Sequence, residues 1–189
     1  MNADAVVLVE GLSDRAALDT LARRLGRDLE SERVSIVSMG GSSAVGEVLD
    51  DLMTTQGFSG RLAGLCDEAQ LGDFQRGLER AGIGTDLAPS DMEGLGFYAC
   101  VADLEDELIR ALGVAAVEAV VEDQGELGSF RTFQNQPAWR GRATDEQLRR
   151  FIGTQSGRKI RYGHLLVDAL EIDRVPRPLK GVLAHVAGP

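Results

Sequence analysis

Carboxylates follow three apolar runs of this chain, at the points where buried strands would end. Glu10 comes directly after AVVLV and Asp67 directly after RLAGLC, while Asp103 follows GFYACV with Glu105 two residues further on. Asp14 lies about one helical turn beyond Glu10. Like charges gathered in one place raise one another's pKa unless a cation neutralises them. Hard carboxylate oxygens suit Mg²⁺ or Mn²⁺, and two such ions can clamp a phosphoryl group in transfer.

The elements that must position these acids alternate between strand and helix. Apolar runs at 5–9, 34–38, 61–66 and 96–101 predict four strands, and each is followed by a helical pattern. Short links between them imply a parallel sheet with right-handed crossovers. In such a sheet the carboxyl ends of the strands share one edge, so we expect the acids to meet there.

The helix after the first run has both of its ends marked in the sequence. Ser13 is predicted to cap its start, and Gly26 is predicted to end it. Beyond residue 112 the alternation stops and helical periodicity dominates, with a loop expected at 129–141. The sequence therefore predicts an α/β core at 1–112 and a helical C-terminal extension at 113–189.

Charge is distributed unevenly along the chain. The net charge is −10, but residues 1–130 hold 25 acidic and 9 basic side chains, whereas residues 131–189 hold 5 and 11. The acidic part could hold a metal while the basic part meets a polyanion such as nucleic acid, whose phosphates need Lys and Arg. Two solvated surfaces of opposite sign are the simpler explanation of the same numbers.

The remaining features of composition point to an ordinary cytoplasmic globule. Cys66 and Cys100 lack CxxC spacing and lie in predicted strands, so we expect buried core thiols. No apolar run reaches the length of a membrane span, so no membrane partner is expected.

Each acid also has a simpler structural explanation. Asp14, Asp103 and Glu105 could each favour a helix N-terminus through its dipole, and Asp67 could be an ordinary loop residue. Glu10 is the hardest to explain in this way, because a carboxylate directly after VVLV is costly to bury without a partner. The set as a whole favours a metal site.

The stretch VVLVEGLSD resembles the first motif of the Toprim domain, the metal-binding fold shared by topoisomerases, bacterial primases and several nucleases. The motif has a second acid, Asp14, four residues after Glu10. In this it is similar to the first motif of the Toprim domain in the overcoming-lysogenization-defect (OLD) nucleases. The resemblance extends over most of the chain and includes a glycine loop, two further acidic motifs and a distal basic helix. The corresponding segments are MGG (39–41), GLCDEA (64–69), VADLEDEL (101–108) and GRKIRYGHLLVDAL (157–170).

This resemblance implies a Rossmann-like Toprim core and Mg²⁺- or Mn²⁺-dependent cleavage of phosphodiester bonds with one or two ions. The implied metal ligands are Glu10, Asp14, Asp67 and Glu105, and Glu10 would also act as general base. Lys159 would stabilise charge that develops on the phosphate.

The basic helix around Lys159 would also guide the substrate. Arg158 and Arg161 are its neighbouring candidates for substrate binding. The implied partner is nucleic acid, with DNA favoured over RNA.

The sequence departs from the family pattern at two acidic motifs. The motif after the third strand is Asp-x-Asp in the family, but here Ala69 stands at the second acid, and Glu68 cannot be assumed to replace it. Asp103 stands where the family has a small hydroxyl residue, and it could supply the missing ligand oxygen. GGSSAVGE (40–47) is not a Walker loop, so we expect a stand-alone Toprim, or a partner of a separate ATPase subunit. The sequence leaves open whether the chain forms a homodimer.

Three functions are compatible with the sequence. The first is a metal-dependent nuclease or a related phosphoryl-transfer enzyme. The second is a Toprim-like module that has lost efficient catalysis and binds a partner or nucleic acid, which Ala69 supports. The third is a receiver-like phosphorylation switch. A receiver requires paired acids after the first strand and a fifth strand that delivers lysine, whereas Lys159 opens a predicted helix.

Overall fold

The four predicted strands form one parallel sheet. The computed structural model describes residues 3–188, apart from the side chain of Ser156. Val9 pairs with Ser38 on one side and with Leu65 on the other, so the first strand is central in the sheet. The strands are β1 (Ala5–Val9), β2 (Val34–Ser38), β3 (Arg61–Asp67) and β4 (Phe97–Cys100), in the order β2-β1-β3-β4.

Strand β1 is buried on both faces, as its continuous apolar run predicts. Val6 and Leu8 pack into one hydrophobic core, whereas Ala5, Val7 and Val9 pack into a second core on the opposite face. All five residues are fully buried. Because successive side chains of a strand point to opposite faces, this split places a helical layer on each side of the sheet. The predicted α/β class is confirmed.

The two helical layers differ in size. Helices α2 to α4 cover the face of Val6 and Leu8, and the others cover the opposite face, where β1 shares one core with the C-terminal helices. No helix within residues 3–188 combines the length and apolar character needed to cross a bilayer. The helices are α1 (Leu12–Arg24), α2 (Val45–Asp50, continued by a π-helical turn Asp51–Thr55), α3 (Leu71–Arg80), α4 (Pro89–Gly94), α5 (Leu104–Leu112), α6 (Val114–Asp123), α7 (Leu127–Gln134), α8 (Thr144–Ile152), α9 (Ser156–Ala169) and α10 (Arg177–His185).

The loop predicted at 129–141 is wrong over its first half, because helix α7 extends to Gln134. Phe130 and Phe133 are three residues apart and therefore lie on one face of a helix. Both are buried against Phe151 of α8, with ring centroids 5.2 and 5.7 Å from its ring. Burying these rings together favours the helix although the local sequence is rich in turn-forming residues.

The start of α1 also differs from the prediction. Gly11 is the N-cap in an extended conformation, and Ser13 lies inside the first turn, so the predicted Ser13 cap is wrong. The reason is that the Asp14 carboxylate already accepts a hydrogen bond from the Gly11 backbone N–H at 2.8 Å. Gly26 follows the last turn with a φ of 73°, and the predicted end of the helix is confirmed.

Candidate functional site

Glu10 and Asp67 lie at the same edge of the sheet, on neighbouring strands. Val9 and Leu65 are paired in register, so Glu10 is one residue past that level and Asp67 is two residues past it. The backbone N–H of Gly40 donates to the Glu10 carbonyl at 3.0 Å and ties the glycine loop after β2 to the end of β1. The topology therefore delivers both carboxylates to one place, as the sequence predicts.

Asp67 is the last residue of β3, and its carboxyl group is partly desolvated. The pKa of Asp67 is raised to about 7, chiefly by burial and also by the negative charges of Asp14, Asp103 and Glu10, against the lowering effect of Lys159. A carboxyl group with this pKa is ionised only partly at neutral pH. A cation beside it would restore full ionisation.

Asp14 lies in the first turn of α1 and is 8% exposed. Burial raises the pKa of Asp14, while the Gly11 N–H and the charge of Lys159 act in the opposite direction. The same carboxylate therefore caps the helix with one oxygen and contributes negative charge to the site. The two roles expected of it, helix N-terminus and metal site, do not exclude each other.

Glu105 and Lys159 form an ion pair that is unequal in solvent exposure. Lys159 Nζ lies 3.2 Å from Glu105 Oε2, and the side chains are 38% and 4% exposed. Burial raises the pKa of Glu105 to about 7 in spite of this lysine. Burial acts to lower the pKa of Lys159, but Glu105, Asp14 and Asp67 outweigh it and the net shift is upward. The positive charge of Lys159 thus acts on several carboxylates at once. It does not fully offset the rise in pKa that burial causes in any one of them.

Both oxygens of Asp103 already have partners. Oδ1 caps α5 by accepting from the backbone N–H of Asp106 at 2.8 Å, and Oδ2 lies 2.7 Å from Nε of Arg149. Asp103 would have to exchange Arg149 for an ion before it could serve as a metal ligand. The sequence did not indicate Arg149, because nothing in its spacing links it to a residue 46 positions earlier.

The turn that presents Asp103 is strained. Ala102 lies between β4 and α5 with a φ of 64°, a left-handed conformation that non-glycine residues seldom adopt. Glu107 stabilises the same turn, because its Oε1 accepts from the Val101 N–H at 2.9 Å. Local geometry therefore fixes where Asp103 and Glu105 lie.

A cavity of about 250 Å³ opens between the start of α1, the end of β3 and the start of α9. Glu10, Asp14, Asp67 and Lys159 line it. Two carboxylate oxygens at the site, Glu10 Oε2 and Glu105 Oε1, are buried and have no hydrogen-bond partner among the described residues. Buried carboxylate oxygens without a donor are costly, and a bound cation removes that cost.

The acids are negatively charged and partly buried, which favours a bound cation. They do not form a complete set of metal ligands. Within residues 3–188, no group of three or more His, Cys, Asp and Glu side chains is arranged closely enough to hold a metal ion. An open arrangement with few protein ligands is what Mg²⁺ favours, since this ion keeps several of its waters. The residues present therefore fit a hard divalent cation better than a soft one.

Gly163 explains why Lys159 reaches the acids. A Cβ at Gly163 would lie 2.8 Å from the Ser13 carbonyl oxygen, so only glycine allows α9 to pack this closely on the start of α1. Lys159 is one turn earlier on the same helix. The close contact between the two backbones therefore sets the position of Lys159 beside Asp14 and Glu105.

Arg158 and Arg161 are not brought to the acidic site. Both guanidinium groups pair with Glu126, at 3.1 and 2.6 Å, and Tyr162 donates its hydroxyl to the same carboxylate. Arg158 also stacks on Phe151, 4.1 Å from the ring centroid, and its side chain is only 11% exposed. These contacts fix α9 against its neighbours and leave Lys159 as the member of this basic group that lies at the acids.

The missing second acid after β3 is not replaced by its neighbour. Glu68 and Ala69 are both exposed and belong to a short 3-10 turn, Glu68–Gln70. Neither residue lines the cavity that contains Asp67. The departure seen in the sequence is therefore a real difference in the charge of the site.

The fold that positions these acids is shared with known structures. Residues 1–53 match the family model described as overcoming lysogenization defect protein-like, TOPRIM domain. The C-terminal region of the Xanthomonas campestris pv. campestris OLD protein is similar in structure, with a TM-score of 0.73 and 20% sequence identity over 97% of this chain and 92% of that one. This is a Toprim-like fold of the OLD type.

The same Toprim-like fold is found in a second organism. The C-terminal region of the Burkholderia pseudomallei OLD protein is similar, with a TM-score of 0.70 and 18% identity over 98% of each chain. A comparison with curated proteins gave no match. The predicted resemblance to an OLD-type Toprim domain is confirmed, and Toprim domains generally bind divalent metals.

The Toprim-like fold also weighs against a receiver-like switch. No fifth strand follows β4 in the part of the chain that the structure describes, and Lys159 lies on helix α9. The lysine that a receiver delivers from a fifth strand is absent from that place here.

Proposed function

We propose that this chain is a Toprim-type hydrolase that cleaves phosphodiester bonds of nucleic acid with Mg²⁺ or Mn²⁺. The observation that carries the proposal is the gathering of Glu10, Asp14 and Asp67 around one cavity with Lys159. The buried Glu10 Oε2, which has no donor among the described residues, adds an acceptor at the same place. A purely structural cluster would be expected to satisfy such an oxygen internally.

Each residue of the cavity has a distinct role in this proposal. Glu10, Asp14 and Asp67 would supply the negative charge that attracts the cation, with at most two of them binding it directly, because no three described acids lie close enough to share one ion. A bound divalent cation supplies charge neutralisation and polarises the phosphate. The Glu10 carboxylate would accept a proton from the water that attacks phosphorus, while the bond from phosphorus to the leaving oxygen breaks and that oxygen takes a proton from solvent. Lys159, whose side chain is 38% exposed, donates from Nζ to a non-bridging phosphate oxygen and stabilises the charge that develops there.

The surroundings of Asp103 favour one tightly held ion. Arg149 already forms an ion pair with Asp103 at 2.7 Å, and Lys159 forms one with Glu105 at 3.2 Å. Ala69 offers no oxygen to a second ion. A second ion would therefore bind weakly, and only after Asp103 releases Arg149.

Calorimetric titration with Mn²⁺ and a plasmid-nicking assay on the same samples test the proposal. We expect wild type to bind and nick, and Glu10→Gln and Asp67→Asn to lose at least about tenfold in both, since one lost charge-assisted contact is worth roughly 1.5–3 kcal/mol. Glu68→Gln is the matched control, because it removes an exposed acid next to Asp67. Equal loss in the control would overturn the assignment of the site.

A binding module without efficient catalysis is the second candidate. Ala69 and the Asp103–Arg149 ion pair favour it, since both weaken a second ion site. This candidate predicts that Mn²⁺ binds and depends on Asp67 while no plasmid is nicked. DNA as the preferred substrate, a separate ATPase subunit and a homodimer stay predictions.

A further inference from the structure

A second cavity, of about 420 Å³, lies next to the acidic site. Lys159 lines both cavities, and Asp103 and Glu105 lie at the wall of the second one. The rest of its lining comes from the α7–α8 connection and from α8, and it includes Trp139, Arg142, Arg149 and Arg150. Glu146 also lines it, so four basic and three acidic side chains surround this cavity beside the acidic site.

The basic side chains of this cavity differ in how firmly they are engaged. Arg149 is paired with Asp103 at 2.7 Å. Arg142 lies 3.9 Å from Glu146, and both side chains are more than half exposed, so this pair contributes little. Arg150 is exposed and has no ion-pair partner among the residues that the structure describes. Arg142 Nε donates to the Ala138 carbonyl at 2.9 Å, so Arg142 can offer its terminal nitrogens to an anion, and Arg150 can offer its whole guanidinium group.

Trp139 supplies an aromatic surface beside these arginines. One ring neighbour is Phe133, stacked at 5.2 Å between centroids, and the other is the Arg142 guanidinium, 4.9 Å from the indole centroid. An exposed cation–π contact is worth about 0.5–1 kcal/mol, whereas stacking a nucleobase on an aromatic ring is worth about 1–3 kcal/mol. A base can therefore displace Arg142 from Trp139 and release it to a phosphate.

We infer that this cavity binds single-stranded nucleic acid, with an unpaired base on Trp139 and its phosphates on Arg142 and Arg150. The inference rests on the proposed function, since the strand would continue from this cavity past Lys159 to the acids. A base within a duplex is stacked on its neighbours and cannot lie flat on an indole, so the geometry favours a single strand. This also gives the excess of basic residues after position 130 a role.

The test is binding of a fluorescein-labelled dT oligonucleotide, its U counterpart and a duplex of equal length, measured by anisotropy in EDTA so that nothing is cleaved. Trp139 is the one tryptophan of the sequence, so its intrinsic fluorescence reports directly on contact with a base. We expect quenching by the single strands and weaker binding of the duplex. Equal quenching by dT and U strands supports recognition of bases and phosphates alone, and a preference for one reports an added contact with the 2′-hydroxyl or with the thymine methyl group.

Substitutions separate the base contact from the phosphate contact. Trp139→Ala is expected to weaken binding by about five- to a hundredfold, with Trp139→Phe retaining most of the affinity, from the stacking energy of roughly 1–3 kcal/mol. Arg150→Ala is expected to weaken binding and to lower the slope of log affinity against log salt by about 0.7. Arg140→Ala is the control, because this exposed arginine does not line the cavity.

The outcomes distinguish this inference from the proposed function. Unquenched Trp139 fluorescence, a duplex bound as tightly as a single strand, or an Arg150→Ala variant equal to Arg140→Ala would each overturn the inference, even if nicking depends on Asp67. Quenching and Arg150-dependent binding without any metal-dependent cleavage would support the cavity and overturn the nuclease.

Discussion

Asp67→Asn is expected to stabilise the metal-free protein and to abolish its response to divalent cations. In the folded chain, burial raises the pKa of Asp67 to about 7 from an ordinary value of 3.8. Ionising this group at alkaline pH therefore costs folding free energy. Asparagine keeps the shape of the side chain and carries no charge to desolvate, but it is a poor ligand for a hard cation.

The magnitude follows from the shift in pKa. Each unit corresponds to about 1.4 kcal/mol, so three units set a ceiling of roughly 4 kcal/mol. Asp67 lies at the edge of the sheet and keeps contact with solvent, so we expect about 1–3 kcal/mol in practice.

The sign of the pH dependence follows from linkage. Because the folded pKa lies above the unfolded one, the stability that this group contributes is fully present below about pH 4 and is lost as pH rises through about 7. Wild type should therefore lose stability over this range relative to Asp67→Asn. The free energy of unfolding of the variant should exceed that of wild type only slightly near about pH 4.5 and by the full amount near about pH 8.

Urea unfolding in EDTA at the two pH values measures the stabilisation of the metal-free protein. The midpoint of thermal unfolding with and without Mn²⁺ measures the response to the cation. At about a hundredfold excess of Mn²⁺ over Kd, wild type should gain about 2.7 kcal/mol, and the variant should gain little. Glu68→Gln should behave as wild type in both assays. A variant that is destabilised equally at both pH values would refute the reasoning, because Asp67 would then be acting as a structural hydrogen-bond acceptor.

Other parts of the site give predictions of the same kind. Gly163→Ala should lower the free energy of unfolding by about 1–3 kcal/mol and weaken Mn²⁺ binding, whereas Gly157→Ala, on the same helix with open space around it, should do neither; urea unfolding and calorimetry decide. Ala102→Gly should raise stability by about 1 kcal/mol through relief of its left-handed backbone, and no gain in urea unfolding would contradict the strain. Arg149→Ala should free Asp103 and tighten Mn²⁺ binding about fivefold in calorimetry, since a like charge beside the site is removed, and unchanged or weaker binding would show that Arg149 does not compete with the ion.

The sequence by itself determined the sheet and the acids at its edge. A short continuous apolar run such as AVVLV, bounded by turn signals, is typical of a strand buried on both faces, and a helix between successive strands lets them run parallel. Glu10 and Asp67 follow their strands directly, so their meeting at one edge was predictable from chain order. Local spacing was also enough for most helices and for the end of α1 at Gly26.

Only the tertiary structure decided which charges neutralise which. Arg149 reaches Asp103, and Glu126 takes Arg158 and Arg161 away from the acids, through contacts between residues distant in sequence. Helix α7 forms for a similar reason, because its phenylalanines pack on a helix that comes later in the chain. Periodicity and motif spacing describe local structure, whereas these pairings depend on the distances at which the helices pack. The close approach of α9 to α1 at Gly163 sets one of those distances and places Lys159 at the site.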